Sequence, residues 1–251
     1  MGSTLGVVIL AAGLGTRMKS DKAKVLHEIC GRPMIDYVMR TAMEVAGQNI
    51  VVVIGYQAGK VKEVVNQVGE AHFAHQEKQL GTGHAVLCAM PFIPASVDQV
   101  LILCGDVPLI KAKTIRELSA DHLLHGRDAS LLAVSLEEPK GYGRLIFTED
   151  GDLIAIVEEK DASPAEKLIK IINTGIYIVK REFLENALPQ LRSDNAQNEI
   201  YLTDIINIGY RQKRKIGSLI GGDSKEIIGV NSQDELQIAE ILMKQRFGEK
   251  S

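Results

Sequence analysis

The chain has 251 residues, and its 29 lysine and arginine residues nearly balance its 32 aspartate and glutamate residues, for a formal net charge of -3. This balance excludes the strongly basic surface of a dedicated nucleic-acid-binding protein, and the ordinary content of apolar residues excludes a disordered chain. No apolar run approaches the roughly 20 residues that a membrane-spanning helix needs, so we expect no membrane partner.

The first half of the sequence alternates short apolar runs with amphipathic stretches. The apolar runs predict strands at Val7–Ala11, Ile50–Ile54 and Val100–Cys104, and a shorter strand near Ala71–His75. The amphipathic stretches predict helices from Pro33 to Gly47, around Lys60–Val65 and from about Gly83 to Met90. Strands that are apolar throughout belong in a parallel sheet covered on both faces. The alternation therefore predicts an α/β fold with a doubly wound, mostly parallel sheet.

The second half of the sequence has a different pattern. Arg144–Phe147 and Leu153–Val157 flank an Asp-Gly pair at residues 150 and 151, which is a strong signal for a hairpin. Ile171–Val179 predicts another strand, and the capping box Ser232–Glu235 predicts the start of a C-terminal helix. We therefore expect an antiparallel insertion that completes one side of a cleft.

The loop after the first strand carries the most informative residues. In an open α/β sheet, ligands bind at the carboxyl ends of the strands, which is where this loop lies. Gly13 and Gly15 let the backbone approach a polyanion, with amide donors free to point at phosphate oxygens. Arg17 can clamp a phosphate with two hydrogen bonds, and Lys24 adds a point charge. A simple turn with a surface arginine is the alternative interpretation.

A carboxylate follows the strand Val100–Cys104 and therefore lies at the same edge of the sheet. This residue is Asp106, in the segment Cys-Gly-Asp-Val-Pro. Mg²⁺ is usually held by one or two protein oxygens together with phosphate and water, so Asp106 is a natural magnesium ligand beside a phosphate. The alternative is an aspartate that only stabilises a turn.

Further segments belong to the same resemblance as the glycine loop and the segment that contains Asp106. They are Ser20–His27, Gln76–Ala85, Gly141–Arg144, Ile156–Ala162, Ile172–Tyr177, Tyr201–Asp204 and Gly229–Asn231. Together, the segments resemble the sugar-nucleotide pyrophosphorylases, and specifically the uridylyltransferases that make UDP-N-acetylglucosamine. The resemblance implies a Rossmann-like, GT-A-like nucleotidyltransferase domain over residues 1–251. Its expected parts are a nucleotide-binding half at about 5–110, a sugar-binding half at about 111–231 and a C-terminal helix at 232–251.

The resemblance also implies a role for each matching residue. The residues implied at the nucleotide are Leu10, Ala11, Ala12 and Gly13, with Arg17 and Lys24 as the catalytic residues at its phosphates. Gln76 and Gly81 would recognise the uracil edge, with Thr82 close by, because a carboxamide offers one donor face and one acceptor face. The implied magnesium ligands are Asp106 and Asn231, and the implied amino-sugar contacts are Gly143, Glu158 and Asn173.

The implied activity is a Mg²⁺-dependent transfer of UMP from UTP to N-acetylglucosamine-1-phosphate, which yields UDP-N-acetylglucosamine and pyrophosphate. One alternative is the same chemistry on another pair of substrates, such as glucose-1-phosphate with UTP or dTTP. A second alternative is a nucleotide-sugar-binding module without catalysis. A third is a glycosyltransferase, which needs an acceptor site that the sequence does not indicate.

The sequence departs from the family pattern at several positions. Cys104 stands where the family has tyrosine, Ala23 where it has proline, and Asn198 and Ile200 where it has glycine and tyrosine. These changes leave the phosphate and metal residues intact, and Cys104 lies near the expected sugar pocket. Family members continue into hexapeptide repeats that acetylate glucosamine-1-phosphate, so we expect no acetyltransferase activity from this chain.

Three other features predict structure rather than chemistry. His122 and His125 are three residues apart on a predicted helix, and we expect a solvated helix face there rather than a metal site. The basic run Arg211–Lys215 predicts a solvated helix end. The remaining feature is the cysteines, Cys30, Cys88 and Cys104, which are odd in number and widely spaced. They predict reduced, mostly buried thiols in a cytoplasmic protein.

Overall fold

A computed structural model describes residues 3–248 of the chain. In that range, nine strands form one sheet: β1 (Leu5–Ala11), β2 (Ile50–Ile54), β3 (His72–His75), β4 (Gln99–Cys104), β5 (Ala129–Ser135), β6 (Arg144–Phe147), β7 (Leu153–Val157), β8 (Ile171–Lys180) and β9 (Ile216–Ile220). The same range contains seven α-helices: α1 (Met34–Ala46), α2 (Ala58–Val68), α3 (Thr82–Ala89), α4 (Ala112–Leu124), α5 (Arg181–Ala187), α6 (Asp204–Arg211) and α7 (Gln233–Gly248). The strands and helices predicted in the first half are present within a few residues of their expected bounds.

The main path of the sheet has the order β9-β5-β8-β4-β1-β2-β3. Pairing is parallel between β1 and each of β2 and β4, between β2 and β3, and between β5 and β9. Alternate residues of β1 face two separate cores, with Val8 in one and Val7 and Ile9 in the other. Helices α1, α2 and α4 cover one face and α3, α5 and α6 cover the other, which confirms the doubly wound α/β fold.

The antiparallel part of the sheet is built around β8. This strand lies between β4 and β5 and runs antiparallel to both, so it joins the two halves of the chain into one sheet. Its register shifts between Asn173 and Tyr177, where Gly175 adopts a φ of +78°. The strand also pairs with β6, which forms the predicted hairpin with β7. The antiparallel insertion is therefore confirmed, whereas β5 and β9 are strands that the sequence analysis does not predict.

The prediction of a solvated face at His122 is wrong. The side chain is 1% exposed because α4 packs onto the sheet through this face, which also carries Thr114 and Leu118 at helical spacing. His122 Nδ1 lies 2.9 Å from Ser130 Oγ, and its Nε2 lies 3.0 Å from Gln99 Oε1. Burial lowers the pKa of His122 to about 4, so the imidazole is neutral at physiological pH.

Other expectations for the second half are refined by the structure. The C-terminal helix ends at Gly248, and residues 249–251 of its expected range lie outside the described residues. The three thiols are free, and each cysteine is intermediate in exposure with most of its surface buried, as predicted. The basic run Arg211–Lys215 follows the end of α6 and is largely exposed, as predicted. Within residues 3–248, no helix combines the length and the apolar character needed to cross a bilayer.

Candidate functional site

A cleft lies at the carboxyl ends of β1 and β4. Two cavities share Leu10, Thr82 and Cys104 in their linings and therefore lie side by side: the larger cavity of the cleft, of about 460 Å³, and a smaller one of about 200 Å³. The predicted site residues line one cavity or the other, except Arg17 and Asn231, which contact the cleft through hydrogen bonds. A separate cavity of about 650 Å³ lies outside the cleft, between α1, α4 and α7, and none of the predicted site residues lines it. Polar groups converge at the strand ends, which is where we place the candidate site.

The loop after β1 is folded tightly against Lys24. Gly15 in this loop has a φ of +69°, and a Cβ atom at this position would lie 2.6 Å from Lys24 Cβ. Both the backbone conformation and the close packing therefore require glycine. Gly13, by contrast, is exposed and has no atom within 4 Å of the position that a Cβ would take. The backbone at Gly13 is thus exposed and unobstructed.

Four residues form a network that we call the charged corner: Arg17, Lys24, Asp106 and Asn231. Lys24 Nζ forms an ion pair with Asp106 Oδ2 and donates a hydrogen bond of 2.9 Å to Asn231 Oδ1. Arg17 Nη2 donates to the same Asn231 oxygen at 2.9 Å. The Lys24 and Asp106 side chains are only 19% and 15% exposed, so their attraction is weakly screened by water. Two cations thus face two acceptor oxygens at the cleft.

Backbone contacts bring Asn231 to Asp106 across a long sequence separation. Val230 N donates a hydrogen bond of 2.9 Å to Asp106 O. Asn231 Nδ2 donates to Gly229 O at 3.0 Å, which leaves its Oδ1 directed at Lys24 and Arg17. The position of the Asn231 oxygen is therefore set by its own neighbours along the chain.

The segment that precedes α7 is anchored to the rest of the protein by Glu226. This carboxylate is 4% exposed, accepts a hydrogen bond of 2.6 Å from Thr114 Oγ1 and pairs with Lys111 Nζ at 2.6 Å. At the start of α7, Ser232 Oγ accepts from Glu235 N, as the predicted capping box requires. The Glu235 carboxylate instead accepts from the backbone N–H of Asn231, one residue before the expected partner. The cap therefore also holds the metal-ligand candidate in place.

The donor set of the charged corner fits a hard divalent cation. Asp106 and Asn231 both direct an oxygen at a single atom, Lys24 Nζ, so the two oxygens converge on one point. A carboxylate and a carboxamide oxygen are ligands that Mg²⁺ accepts, and two protein ligands are enough when phosphates supply others. Asp106 and Asn231 are the residues that could hold such an ion.

The inner end of the larger cavity is lined by Gln76, Gly81 and Thr82. Gln76 directly follows β3, is 4% exposed and donates a hydrogen bond of 3.0 Å from Nε2 to Gly81 O. Gly81 has a φ of +112°, and a Cβ atom there would lie 2.5 Å from Ile200 O. Thr82 Oγ1 accepts a hydrogen bond of 3.0 Å from Leu202 N. The turn before α3 is thus held against the second half of the chain.

The smaller cavity, which we call the small pocket, brings together Gly143, Glu158 and Asn173. Asn173 N donates to Gly143 O at 2.9 Å, and Asn173 Oδ1 accepts from Gly175 N at 3.0 Å. A Cβ atom on Gly143 would lie 3.3 Å from Glu158 Oε2, so the carboxylate packs closely on this backbone. Burial raises the pKa of Glu158 above its usual range. The pocket therefore combines a carboxyl group and a carboxamide suited to ligand hydroxyls.

Two residues of the small pocket are absent from the predicted site. Tyr177 and Thr203 are 2% and 5% exposed, and their hydroxyls lie beside Asn173 and Glu158 without a hydrogen bond of standard geometry. Both hydroxyl oxygens are fully buried, and a buried hydroxyl without a good hydrogen bond destabilises the free protein. Both residues lie in segments that match the family pattern, which was the available signal.

Cys104 lines both cavities and stands at their junction. Its Sγ lies 3.7 Å from Gly175 O, and burial raises the pKa of its thiol to about 12. The side chain is therefore a neutral part of the wall between the two compartments.

Sequence comparison places the chain among nucleotidyltransferases. A family model described as the MobA-like NTP transferase domain matches residues 7–195. The bifunctional protein GlmU of Caldanaerobacter subterraneus subsp. tengcongensis is 47% identical over 243 residues, which cover 97% of this chain and 52% of that protein. The bifunctional protein GlmU of Desulfotalea psychrophila is 43% identical over 242 residues, which cover 96% of this chain and 71% of that protein. The chain thus spans about half the length of the first relative and more of the second.

Solved structures share the fold. UDP-glucose pyrophosphorylase complexed with UDP-glucose has a TM-score of 0.74 at 18% sequence identity. The alignment covers 98% of this chain and 100% of the pyrophosphorylase chain. HddC from Yersinia pseudotuberculosis has a TM-score of 0.69 at 21% sequence identity. The alignment covers 95% of this chain and 99% of the HddC chain. At these identities the likeness concerns the fold alone, and it agrees with the predicted nucleotidyltransferase architecture.

Proposed function

This chain belongs to the MobA-like NTP transferase family and is a nucleotidyltransferase, and from that premise we propose that it joins UTP and N-acetylglucosamine-1-phosphate into UDP-N-acetylglucosamine and pyrophosphate. The observation that carries the proposal is the charged corner at the mouth of a cleft with two compartments. The larger compartment takes the nucleotide, and the small pocket takes the sugar. Residues at about 5–110 and about 111–231 are the nucleotide-binding and sugar-binding halves of one domain.

The proposed reaction needs no general base. A phosphate oxygen of the sugar 1-phosphate attacks the α-phosphorus of UTP, a new P–O bond forms, and the bond to the β-phosphate breaks to release pyrophosphate. The attacking phosphate is already an anion near neutral pH. The obstacle is the repulsion between two polyanions, so positioning and electrostatic stabilisation carry the catalysis.

The residues of the charged corner offset this repulsion. Lys24 supplies a positive charge at the α-phosphate, and Arg17, which is exposed beside the open backbone of Gly13, holds the outer phosphates. Asp106 and Asn231 would hold Mg²⁺, since both direct an oxygen at one point, which the Lys24 ammonium occupies in the free protein. When bound, the ion would offset negative charge on the phosphates.

The small pocket orients the acceptor. Its volume of about 200 Å³ is matched to one sugar ring rather than to a nucleotide. Glu158 accepts hydrogen bonds from sugar hydroxyls, and Asn173 contributes its carboxamide. Gly143 contributes the backbone that Asn173 and Glu158 pack against. Orientation by these groups brings the sugar phosphate to the α-phosphate at the junction beside Cys104.

The experiment that tests the proposal measures pyrophosphate release across a panel of substrates. UTP, dTTP, CTP and GTP are each combined with N-acetylglucosamine-1-phosphate and with glucose-1-phosphate, with and without Mg²⁺. We expect the highest kcat/KM for UTP with N-acetylglucosamine-1-phosphate, and turnover only with Mg²⁺. Faster turnover of glucose-1-phosphate would assign a different sugar. Binding of UDP-sugar without turnover would identify a binding module.

A matched pair of variants tests the charged corner in the same assay. Asp106→Asn keeps the shape of the side chain but removes its charge, and we expect kcat to fall by at least about 100-fold. Asp36→Asn is the control, because Asp36 pairs with Arg40 on α1, away from the cleft. A normal rate in Asp106→Asn would remove this residue from the proposed mechanism.

A further inference from the structure

The carboxamide of Gln76 has only one polar atom left for a ligand. Its Nε2 donates to Gly81 O at 3.0 Å and contacts His84 Nδ1 at 3.1 Å, so both N–H bonds are used inside the protein. Gln76 lines the larger cavity, whereas His84 lies behind it and does not line it. The atom that Gln76 can offer to a bound base is therefore Oε1, a hydrogen-bond acceptor.

The neighbours of His84 specify which way these hydrogen bonds run. Because Gln76 Nε2 also donates to Gly81 O, it presents its second N–H to His84 Nδ1, which accepts and leaves a ring hydrogen on Nε2. Nε2 lies 3.7 Å from Cys88 Sγ, one turn further along α3, and can donate to the sulfur. The ring N–H of His84 and both N–H groups of Gln76 thus each have an acceptor. A flipped Gln76 amide would place its oxygen against both Gly81 O and His84 Nδ1.

We propose that His84 sets the base specificity of the enzyme by holding the Gln76 carboxamide with its oxygen toward the base. This inference rests on the proposed function, in which the larger cavity holds the nucleotide base. Uracil and thymine carry an N–H at ring position 3, which can donate to Gln76 Oε1. Cytosine carries a lone pair at that position, which meets the same oxygen unfavourably. His84 is a positioning residue, because it acts through Gln76 and does not contact the base.

Three substitutions at position 84 distinguish the role of the ring atom Nδ1 from that of Nε2. His84→Asn places a carboxamide oxygen near the former Nδ1 and so keeps the acceptor for Gln76. His84→Gln reaches toward the former Nε2 instead, and His84→Leu removes both groups. The exposed His75, which precedes Gln76 and does not line the cavity, provides the control variant His75→Leu.

The measurement is kcat/KM for UTP and for CTP with the same sugar phosphate. We expect the UTP-to-CTP ratio to stay within about threefold in His84→Asn and to fall by at least about tenfold in His84→Gln and His84→Leu. The absolute kcat/KM for CTP should rise in the latter two variants, because only Gly81 O then holds the carboxamide and it can turn its NH₂ to the base more readily. The ratio should not change in His75→Leu.

A purely structural role for His84 predicts a different result. A structural role would lower kcat/KM for UTP and for CTP by the same factor and leave their ratio unchanged. That outcome, in variants with wild-type circular-dichroism spectra, would overturn the inference. Equal ratios in the Asn and Gln variants would overturn it as well, even if His84→Leu does not fold. If the wild-type protein turns over no nucleotide, the proposed function fails. Calorimetric affinities for UMP and CMP then test the role of His84 by the same ratios, and absence of UMP binding would overturn both.

Discussion

The charged corner and the small pocket prepare for a ligand in opposite ways. In the charged corner, the cation of Lys24 is already paired with Asp106 and Asn231. In the small pocket, the hydroxyls of Tyr177 and Thr203 lack hydrogen bonds of standard geometry, and Glu158 is a carboxyl group whose pKa is raised by burial. Protein groups stabilise one another in the first region, whereas in the second two hydroxyls lack this stabilisation.

The two regions therefore differ in whether the free protein or the ligand-bound protein carries the free-energy cost. A ligand at the charged corner must replace existing ion pairs, so the net gain on binding is reduced but the free protein is stable there. The groups of the small pocket are already in place, and the free protein bears their cost of desolvation. Substitutions in the corner should therefore change turnover, whereas substitutions in the pocket should weaken sugar binding and improve stability.

The largest expected effect is at Lys24. We expect Lys24→Met to lower kcat by at least about 100-fold, because it removes a positioned charge at the α-phosphate. The same variant should bind Mn²⁺ more tightly than the wild type in the absence of nucleotide, since no ammonium competes for Asp106 and Asn231. Steady-state kinetics and calorimetry measure the two effects.

The control for this prediction is Lys22→Met, which removes a nearby lysine that pairs with Glu28 at 3.0 Å outside the cleft. We expect neither kinetics nor Mn²⁺ affinity to change in it. A near-normal rate in Lys24→Met would show that the corner does not act on the reaction.

A buried polar group outside the cleft gives a reference for both regions. The pKa of His122 is about 4 in the folded protein against 6.5 for the free side chain, so the unfolded chain binds more protons between these values. The contribution of this residue to the free energy of unfolding is complete above pH 6.5. It should fall by about 2 kcal/mol between pH 7 and pH 5.

Urea unfolding at pH 7, 6 and 5 measures the effect, with His122→Gln as the comparison. The variant should be less stable at pH 7 and should lose less stability as the pH falls. Parallel pH profiles for the two proteins would contradict the assignment of a neutral, buried imidazole.

In the small pocket, the next effect concerns Glu158. We expect Glu158→Gln to raise KM for the sugar phosphate by about tenfold with KM for UTP unchanged, because one carboxyl oxygen that accepts hydrogen bonds from sugar hydroxyls is replaced by an NH₂ group. The raised pKa also means that the wild type loses stability as the pH rises through that pKa, and the variant should not. Glu158→Gln should therefore unfold at higher urea concentration at pH 7.5. The exposed Glu149 provides the control variant Glu149→Gln, which should match the wild type in both measurements.

The smallest expected effect concerns the hydroxyl of Thr203. Thr203→Val keeps the shape of the side chain and should raise KM for the sugar phosphate by about threefold while leaving or improving stability, because the hydroxyl is buried without a standard hydrogen bond. Thr203→Ser restores the hydroxyl and should restore KM. A loss of stability in Thr203→Val would show that the hydroxyl serves the free protein instead.

Several parts of the site followed from local patterns. The loop with Gly13 and Gly15 and the carboxylate of Asp106 each follow an apolar run, and apolar strands of a parallel sheet end at one edge. The structure places β1 and β4 side by side, so these two segments meet. The roles of the sugar-pocket residues came from family resemblance alone and stay predictions, although the structure brings Gly143, Glu158 and Asn173 together.

Other parts depend on contacts that no local pattern contains. His122 was assigned to the wrong face of α4, although its spacing from Thr114 and Leu118 was a usable signal. His84 lies within a segment that the sequence singled out, but only its distances to Gln76 and Cys88 show what it can do.

The amino-acid sequence by itself determined the strands and helices of the first half, the hairpin after Arg144 and the glycine loop. These features depend on periodicity and turn chemistry over a few residues. Only the tertiary structure decided that β8 lies between β4 and β5, that Asn231 meets Asp106 and that two hydroxyls remain in the small pocket without standard hydrogen bonds. The physical reason is that these outcomes depend on packing between segments far apart in the chain, where burial and hydrogen bonding are settled jointly.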